Sequence, residues 1–386
     1  MLRILCDEKM PHAREAFASL GTVVTLPVHN IVREAVMETD ILLVRSGLRV
    51  DATLLDGTPV RYVASATAGT DHVDRAYLAG RGIPFDFAPG CNADSVVEYV
   101  FAALFHLAAE RGSQLEGKTL GIVGCGHVGG RLARRAPALG LRVLCCDPPL
   151  AEATGGAEYH AYADILAASD IITLHTPLAR EGEHPTFHLM DADALRRMKP
   201  GAWLINASRG SVVDGRALGE AIDHGRLGAV VLDVWEGEPE VDLSLMRKVD
   251  LATPHIAGHS YEGKVNGTIQ LYEALQRYLG VRGDWDAQTM LAPGPGDRLS
   301  LTWPATARSQ EAGLRLVVRA MYDILVDDRA FREALTTPAD DQAALFRRLR
   351  RDYLRRRTFG MFTMASPPTD ASAVRALEDG LGIQLG

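Results

Sequence analysis

The stretch Leu120-Gly-Ile-Val-Gly-Cys-Gly-His-Val-Gly129 decides how the rest of the chain is read. Leu120, Ile122 and Val123 form a short strand-like run that stops at Gly124, and a helix-compatible segment rich in Leu, Ala and Arg follows Gly129. The glycines are spaced G-x-G-x-x-G. In that pattern Gly124 allows the tight turn out of the strand, Gly126 lets backbone N–H groups approach a pyrophosphate, and Gly129 lets the helix pack close to the strand. The spacing alone is weak evidence, and its context strengthens it. The helix is expected to end near Pro137 and Gly140, and Leu141-Arg-Val-Leu-Cys-Cys146 reads as a second buried strand running into Asp147. An acid about 20 residues beyond the glycines is where a dinucleotide fold binds ribose hydroxyls. Its charge also repels a 2′-phosphate, which points to NAD rather than NADP.

A chain of 386 residues is too long for one simple core and suits two or three domains. Forty-one Lys and Arg against 49 Asp and Glu leave a formal charge of −8, which argues against a nucleic-acid or membrane-surface protein. No apolar run is long enough to span a bilayer, and the N-terminus enters Leu2-Arg-Ile-Leu-Cys6 without a signal-peptide pattern. A cytoplasmic protein is expected. Cys6, Cys91, Cys125, Cys145 and Cys146 are odd in number and irregular in spacing, so they read as reduced thiols, with no metal site among them.

From Leu2 to about Pro89, short apolar runs at Leu2–Cys6, Val23–Leu26, Ile41–Val44 and Tyr62–Ala64 alternate with helix-compatible stretches, which predicts a parallel sheet. Polar residues follow two of these runs: Arg45-Ser46 after Val44, and Thr67 in Ala66-Thr-Ala-Gly-Thr-Asp-His-Val-Asp74. Ligands of open α/β sheets gather beyond the carboxyl ends of strands, so Arg45, Ser46 and Thr67 are candidate contacts, with ordinary turn chemistry as the alternative. Ala93 to about Glu110 has helical periodicity, with Ser95 and Glu98 at capping-box spacing and Asn92 or Asp94 as alternative caps. Beyond Asp147, four more apolar runs begin at Ile171, Trp203, Ala229 and Leu251. They end in Thr176, in Arg209, in Asp233 followed by Glu238, and in His255. Paired with the strands at Leu120 and Leu141 in one parallel sheet, these ends line a dinucleotide crevice.

Arg209, Glu238 and His255 suit the oxidation of an alcohol beside a carboxylate. Arg209 offers a planar fork for the carboxylate. His255 is a base with proton affinity near neutral pH, and Glu238 would orient its ring through the other nitrogen. Asp233 would anchor the nicotinamide end of a cofactor, and Thr176 its phosphate or ribose. Singly, each has a bland alternative in a loop histidine, a surface ion pair or an acidic turn. Their joint appearance at strand ends favours the chemistry.

With these residues in view, the chain resembles the D-isomer-specific 2-hydroxyacid dehydrogenases. The segments that carry the likeness include Asp7-Glu-Lys-Met-Pro11, Val44-Arg-Ser46, Ala66–Asp74, Ala88-Pro-Gly-Cys-Asn92, Cys146-Asp-Pro-Pro149, Leu232-Asp-Val-Trp-Glu-Gly-Glu-Pro-Glu240 and Thr253-Pro-His-Ile-Ala-Gly258. The resemblance implies two Rossmann-like parallel-sheet domains, one catalytic and one NAD-binding, with an α+β C-terminal dimerisation domain. The implied boundaries are 1–93 with 259–290, then 94–258, then 291–386. It implies that Arg209, Glu238 and His255 are the active-site residues. NAD would be bound by Gly124, Gly126, His127, Val128, Gly129, Asp147, Thr176, Ala207, Ser208, Asp233 and Gly258. Substrate would be bound by Arg45, Ser46, Thr67 and His259, the last standing where the nearest branch of the family has a tyrosine. That branch implies oxidation of 4-phospho-D-erythronate to its 2-oxo acid in pyridoxal 5′-phosphate biosynthesis. Another 2-hydroxy acid, such as a phosphoglycerate, would use the same residues, and an NAD-sensing binding protein on this fold is a third reading.

The tail carries a helix candidate at Leu314–Leu325, an arginine-rich segment at Phe346–Arg357 and a short strand at Phe359–Met364. The resemblance makes it the means of homodimerisation. Its arginines 347, 348, 350, 351, 355, 356 and 357 read either as a solvated face with ion pairs or as a source of substrate-phosphate contacts.

Overall fold

The structure is a computed structural model that describes residues 2–292, 299–336, 341–354 and 356–386. Arg355 lies outside them. The chain divides into two compact units, Met1–Asn92 with Ser260–Asp297, and Ala93–His259 with Arg298–Gly386.

The first unit is built on five parallel strands: β1 (Arg3–Asp7), β2 (Thr22–Leu26), β3 (Ile41–Val44), β4 (Tyr62–Ser65) and β5 (Phe85–Phe87), in the order β2-β1-β3-β4-β5. The central strands are continuous apolar runs because both faces are covered: all four residues of Ile41-Leu-Leu-Val44 are fully buried. β5 was not among the expected strands. It is a three-residue edge in which Asp86 interrupts the apolar pattern and accepts a 2.7 Å bond from the Tyr62 hydroxyl. The helix Tyr261–Leu279 belongs to this unit. Leu271, Tyr272 and Leu275 enter its core, and Thr268 donates to the Pro11 carbonyl at 2.9 Å.

The second unit begins with the helix Ala93–Glu110, which is buried along most of its length. Its sheet has six parallel strands, β6 (Thr119–Val123), β7 (Arg142–Cys146), β8 (Ile171–Leu174), β9 (Trp203–Asn206), β10 (Ala229–Leu232) and β11 (Leu251–Ala252), in the order β11-β10-β9-β8-β6-β7. All six sequence-predicted strands therefore share one sheet. The chain order switches sides at β6, so the turn after Val123 opens at the point where such sheets bind nucleotides. Residues alternate across the sheet: Ile171, Trp203, Ile205 and Val231 face one core, and Ile172, Leu204, Val230 and Leu232 the other.

The tail adds a three-stranded parallel sheet, β12 (Ser300–Thr302), β13 (Thr363–Ser366) and β14 (Gln384–Leu385), with helices Gln310–Met321, Ile324–Thr336 and Gln342–Arg351. The expected Leu314–Leu325 helix is broken, because Tyr322 takes an extended conformation (φ −151°) between two helices. The arginine-rich helix stops at Arg351, and the expected strand at Phe359 begins only at Thr363, after a 3₁₀ turn. Leu314, Val317 and Phe359 join the core that contains Ile122, and Phe331 and Phe346 join the core that contains Ile172. The helix Ile324–Thr336 also covers the sheet edge at β11. Asp328 accepts from the Ala252 N–H at 2.8 Å, and Arg332 donates to the carbonyls of Met246 and Val249 at 2.7 and 2.9 Å. Among the described residues no helix is long and apolar enough to cross a membrane.

Candidate active site

The glycine turn after β6 has the geometry its spacing implies. Gly124 sits at φ +89°, and a Cβ there would stand 2.7 Å from the His175 carbonyl carbon. A Cβ on Gly129 would stand 2.0 Å from the Gly124 oxygen, so helix and strand pack at backbone contact. A Cβ on Gly126 would meet nothing within 4 Å, which leaves the backbone open to a ligand. The helix starts at His127, inside the glycine pattern rather than after Gly129, with Gly126 as its N-cap. Exposed Gly126 and His127 and half-buried Val128 thus present its first N–H groups.

Asp147 follows β7 and ties two turns together. One carboxylate oxygen accepts from the Cys125 N–H at 2.7 Å, and the other caps the helix Pro148–Thr154 through the Leu150 N–H at 3.1 Å. Thr176 follows β8, and its hydroxyl is buried without a hydrogen-bond partner among the described residues. Its neighbour His175 is held neutral by burial, which pulls its pKa down to about 3. An open Gly126, helix N–H groups, an acid at the end of β7 and an orphaned hydroxyl beside Gly124 together fit a dinucleotide.

The Arg209 turn is framed by Asn206, buried at the end of β9. Its amide donates to the Arg209 carbonyl at 2.9 Å, and its oxygen accepts from the Ser208 N–H and hydroxyl at 3.1 and 2.8 Å. Ala207 and Ser208 lie on this turn. A Cβ on Gly210 would fall 2.0 Å from the Trp235 carbonyl, so Arg209 is carried on backbone packed directly against the Trp235–Glu238 turn.

Asp233 ends β10 and is almost fully buried. One oxygen accepts from the Thr253 hydroxyl at 2.6 Å and the Ile256 N–H at 2.8 Å, and the other from the Ala257 N–H at 2.9 Å. The Tyr99 hydroxyl extends this chain to Thr253 at 2.7 Å. The result is a fixed turn, His255–Gly258, in which His255 adopts a left-handed backbone, φ +57°. Its Nδ1 lies 2.5 Å from Glu238 Oε1, while Glu238 Oε2 accepts from the Trp235 N–H at 3.1 Å. Burial pushes the Glu238 carboxyl up, but His255, the Arg350 guanidinium and the Trp235 N–H together hold it below the usual carboxylate range. An ionised Glu238 can only accept, so it favours a ring proton on Nδ1 and leaves Nε2 open to a ligand.

Arg45 and Ser46 follow β3 and Thr67 follows β4, all in the first unit. Arg45 donates to the Lys9 carbonyl at 3.1 Å, Ser46 is exposed, and Thr67 lies 2.7 Å from the Ser65 hydroxyl and donates to Gly69. His259 lies in the second unit, its ring edge-on to Tyr353. The sequence does not mark Asn206, Thr253 or Tyr99 as site residues, and it offers Arg350 only as one of seven arginines in the tail. A polar residue closing an apolar strand, as in Trp203-Leu-Ile-Asn206, was the available signal for the first.

Residues 100–257 match the D-isomer specific 2-hydroxyacid dehydrogenase NAD binding domain, and residues 300–379 match a domain of unknown function. The erythronate-4-phosphate dehydrogenase of Salinibacter ruber is 47% identical over 388 residues, covering 100% of this chain and 99% of its own. That of Enterobacter sp. is 43% identical over 373 residues, covering 97% and 96%. Among solved structures, the D-lactate dehydrogenase of Aquifex aeolicus, complexed with NAD and lactic acid, shares the fold (TM-score 0.60, 24% identity, 72% of this chain and 95% of that one). A glyoxylate reductase from Paecilomyes thermophila matches with TM-score 0.60 and 26% identity over the same shares. With such identity over nearly the whole length of both chains, this protein belongs to the erythronate-4-phosphate dehydrogenase family within the D-isomer specific 2-hydroxyacid dehydrogenases.

Proposed function

We propose that the chain oxidises 4-phospho-D-erythronate at C2 to (R)-3-hydroxy-2-oxo-4-phosphooxybutanoate, on the route to pyridoxal 5′-phosphate. The observation that carries the reaction is the Glu238–His255 pair, 2.5 Å apart at the mouth of a dinucleotide sheet. The relatives' names supply the substrate. NAD, held by the Gly124–Gly129 turn, Asp147, Thr176, Ala207, Ser208, Asp233 and Gly258, provides the hydride acceptor when bound. His255 Nε2 takes the C2 hydroxyl proton, and Glu238 stabilises the imidazolium that forms. Arg209 binds the substrate carboxylate and polarises the developing carbonyl. Arg45, Ser46, Thr67 and His259 are assigned to the remainder of the substrate.

The same reading makes the protein a cytoplasmic homodimer assembled through its tail, in three domains: 1–93 with 259–290, 94–258 and 291–386. Unbridged cysteines accord with a reducing compartment. The test is NADH formation with a panel of 2-hydroxy acids with and without a terminal phosphate. 4-Phospho-D-erythronate is expected to give the highest kcat/KM, and a preference for a phosphoglycerate or an unphosphorylated acid refutes the substrate. His255→Ala is expected to keep NAD binding and lose turnover by roughly 10²- to 10⁴-fold.

A further inference from the structure

The turn that carries His255 is held from two sides. Asp233 takes its N–H groups at Ile256 and Ala257, at 2.8 and 2.9 Å. Two of its carbonyls go to the tail. Arg350 Nε donates to the His255 carbonyl at 3.3 Å, and Arg356 Nη2 donates to the Ala257 carbonyl at 2.7 Å. Arg356 is buried, bridges to the Ser95 carbonyl at 2.9 Å and lies 4.3 Å over the Tyr322 ring. Arg350 closes the helix Gln342–Arg351, with Glu238, Asp233 and Arg209 as the charges that act on it. A non-glycine residue at φ +57° persists only where its surroundings fix it.

We infer that Arg350 and Arg356 are positioning residues, two tail guanidiniums that lock the left-handed turn of His255 so that its ring stays on Glu238. The tail is then part of the catalytic apparatus of its own chain, in addition to any role in assembly. A solvated arginine face does not account for these two side chains, because both bond to main-chain carbonyls of the catalytic turn. The inference rests on reading His255 as the base.

The test uses full-length Arg350→Gln and Arg350→Lys, assayed on 4-phospho-D-erythronate and on D-erythronate, or on whichever 2-hydroxy acid the wild type turns over. The substrate assignment can therefore fail while this inference stands. Reading His255 as the base falls separately, with an active His255→Ala. Arg350→Gln is expected to lower kcat by about 10- to 100-fold, the cost of a misplaced base. KM and the NAD dissociation constant should stay within about twofold, with equal losses on both acids. The acid limb of kcat/KM should move to higher pH, because a cation has left the Glu238–His255 pair. Arg350→Lys should restore the pH profile and only part of kcat. A loss confined to KM for the phosphorylated acid overturns the inference in favour of a phosphate anchor, and an unchanged kcat and pH profile removes Arg350 altogether. Arg356→Lys, checked by thermal melting, is the second variant; if it fails to fold, the Arg350 pair decides.

Discussion

Glu238 Oε1 lies 2.5 Å from His255 Nδ1, and the opposite carboxylate oxygen is held by the Trp235 N–H, so the acid cannot turn away from the ring it orients. Its depressed pKa keeps it ionised while the pH falls below the usual carboxylate range. The stability this gives is present above the unfolded carboxylate pKa and is lost as pH falls through the lower folded value. Glu238→Gln should therefore lower kcat by roughly 10²-fold and move the acid limb of kcat/KM to lower pH, since the imidazolium loses its counter-ion. That shift is opposite in sign to the one expected for Arg350→Gln. A pH–rate profile that stays in place would show that Glu238 acts on neither proton nor ring.

Gly126 and Gly129 differ by what surrounds them, and so should their alanine variants. With nothing within 4 Å of its Cβ, Gly126→Ala should cost less stability than Gly129→Ala and bind NAD at least about tenfold more weakly. Gly129→Ala puts a methyl 2.0 Å from the Gly124 oxygen and should destabilise the fold by about 1–3 kcal/mol as the helix is pushed off β6. Melting curves and an NAD titration on the two proteins separate these effects. Equal melting temperatures would remove the packing role assigned to Gly129.

Most of this site could be read from the chain, and the rest could not, for identifiable reasons. The strands at Ile171, Trp203, Ala229 and Leu251 are largely apolar runs because both faces of the sheet are buried there, and each is followed by a polar residue that the register brings to one edge. That made Arg209, Asp233, Glu238 and His255 visible. β5 went unseen because Phe85-Asp-Phe87 is too short and too polar to show a period. Glu98 stands at capping-box spacing from Ser95, yet its carboxylate accepts from the Phe359 N–H at 2.7 Å, a partner 261 residues away that no local pattern predicts. The same applies to Arg350. Nothing in a run of arginines says which one meets a carbonyl across the fold.

Asp147 holds two turns, as cap of the helix Pro148–Thr154 and as acceptor for the Cys125 N–H in the glycine turn. Asp147→Ser keeps a capping oxygen but loses the charge and the second acceptor. The cost in stability should stay within about 1 kcal/mol. KM for NAD should rise by about tenfold, and the ratio of NADP to NAD turnover should rise as repulsion of the 2′-phosphate is removed. Initial rates with both cofactors measure this. If NADP stays excluded to the same degree, the discrimination lies elsewhere.

Glu98 offers a test of how the tail is attached. It is almost fully buried, Oε1 bonds the Phe359 N–H, and Oε2 has no hydrogen-bond partner among the described residues. Burial pushes its pKa up to about 8, with the Arg356 guanidinium and the Phe359 N–H pulling in the other direction. A carboxyl raised above its unfolded value of 4.5 contributes stability that is complete below that value and is lost as pH rises through about 8. The melting temperature of the wild type should accordingly fall between roughly pH 5 and pH 9, and Glu98→Gln, neutral throughout and still able to accept from Phe359, should flatten that slope. At the alkaline end the variant should be the more stable of the two, because the wild type must then either ionise a buried acid or release the segment around Phe359. Parallel melting curves across the whole range would mean that Glu98 is solvated or paired in solution, and that the tail is not held by a neutral acid at this point.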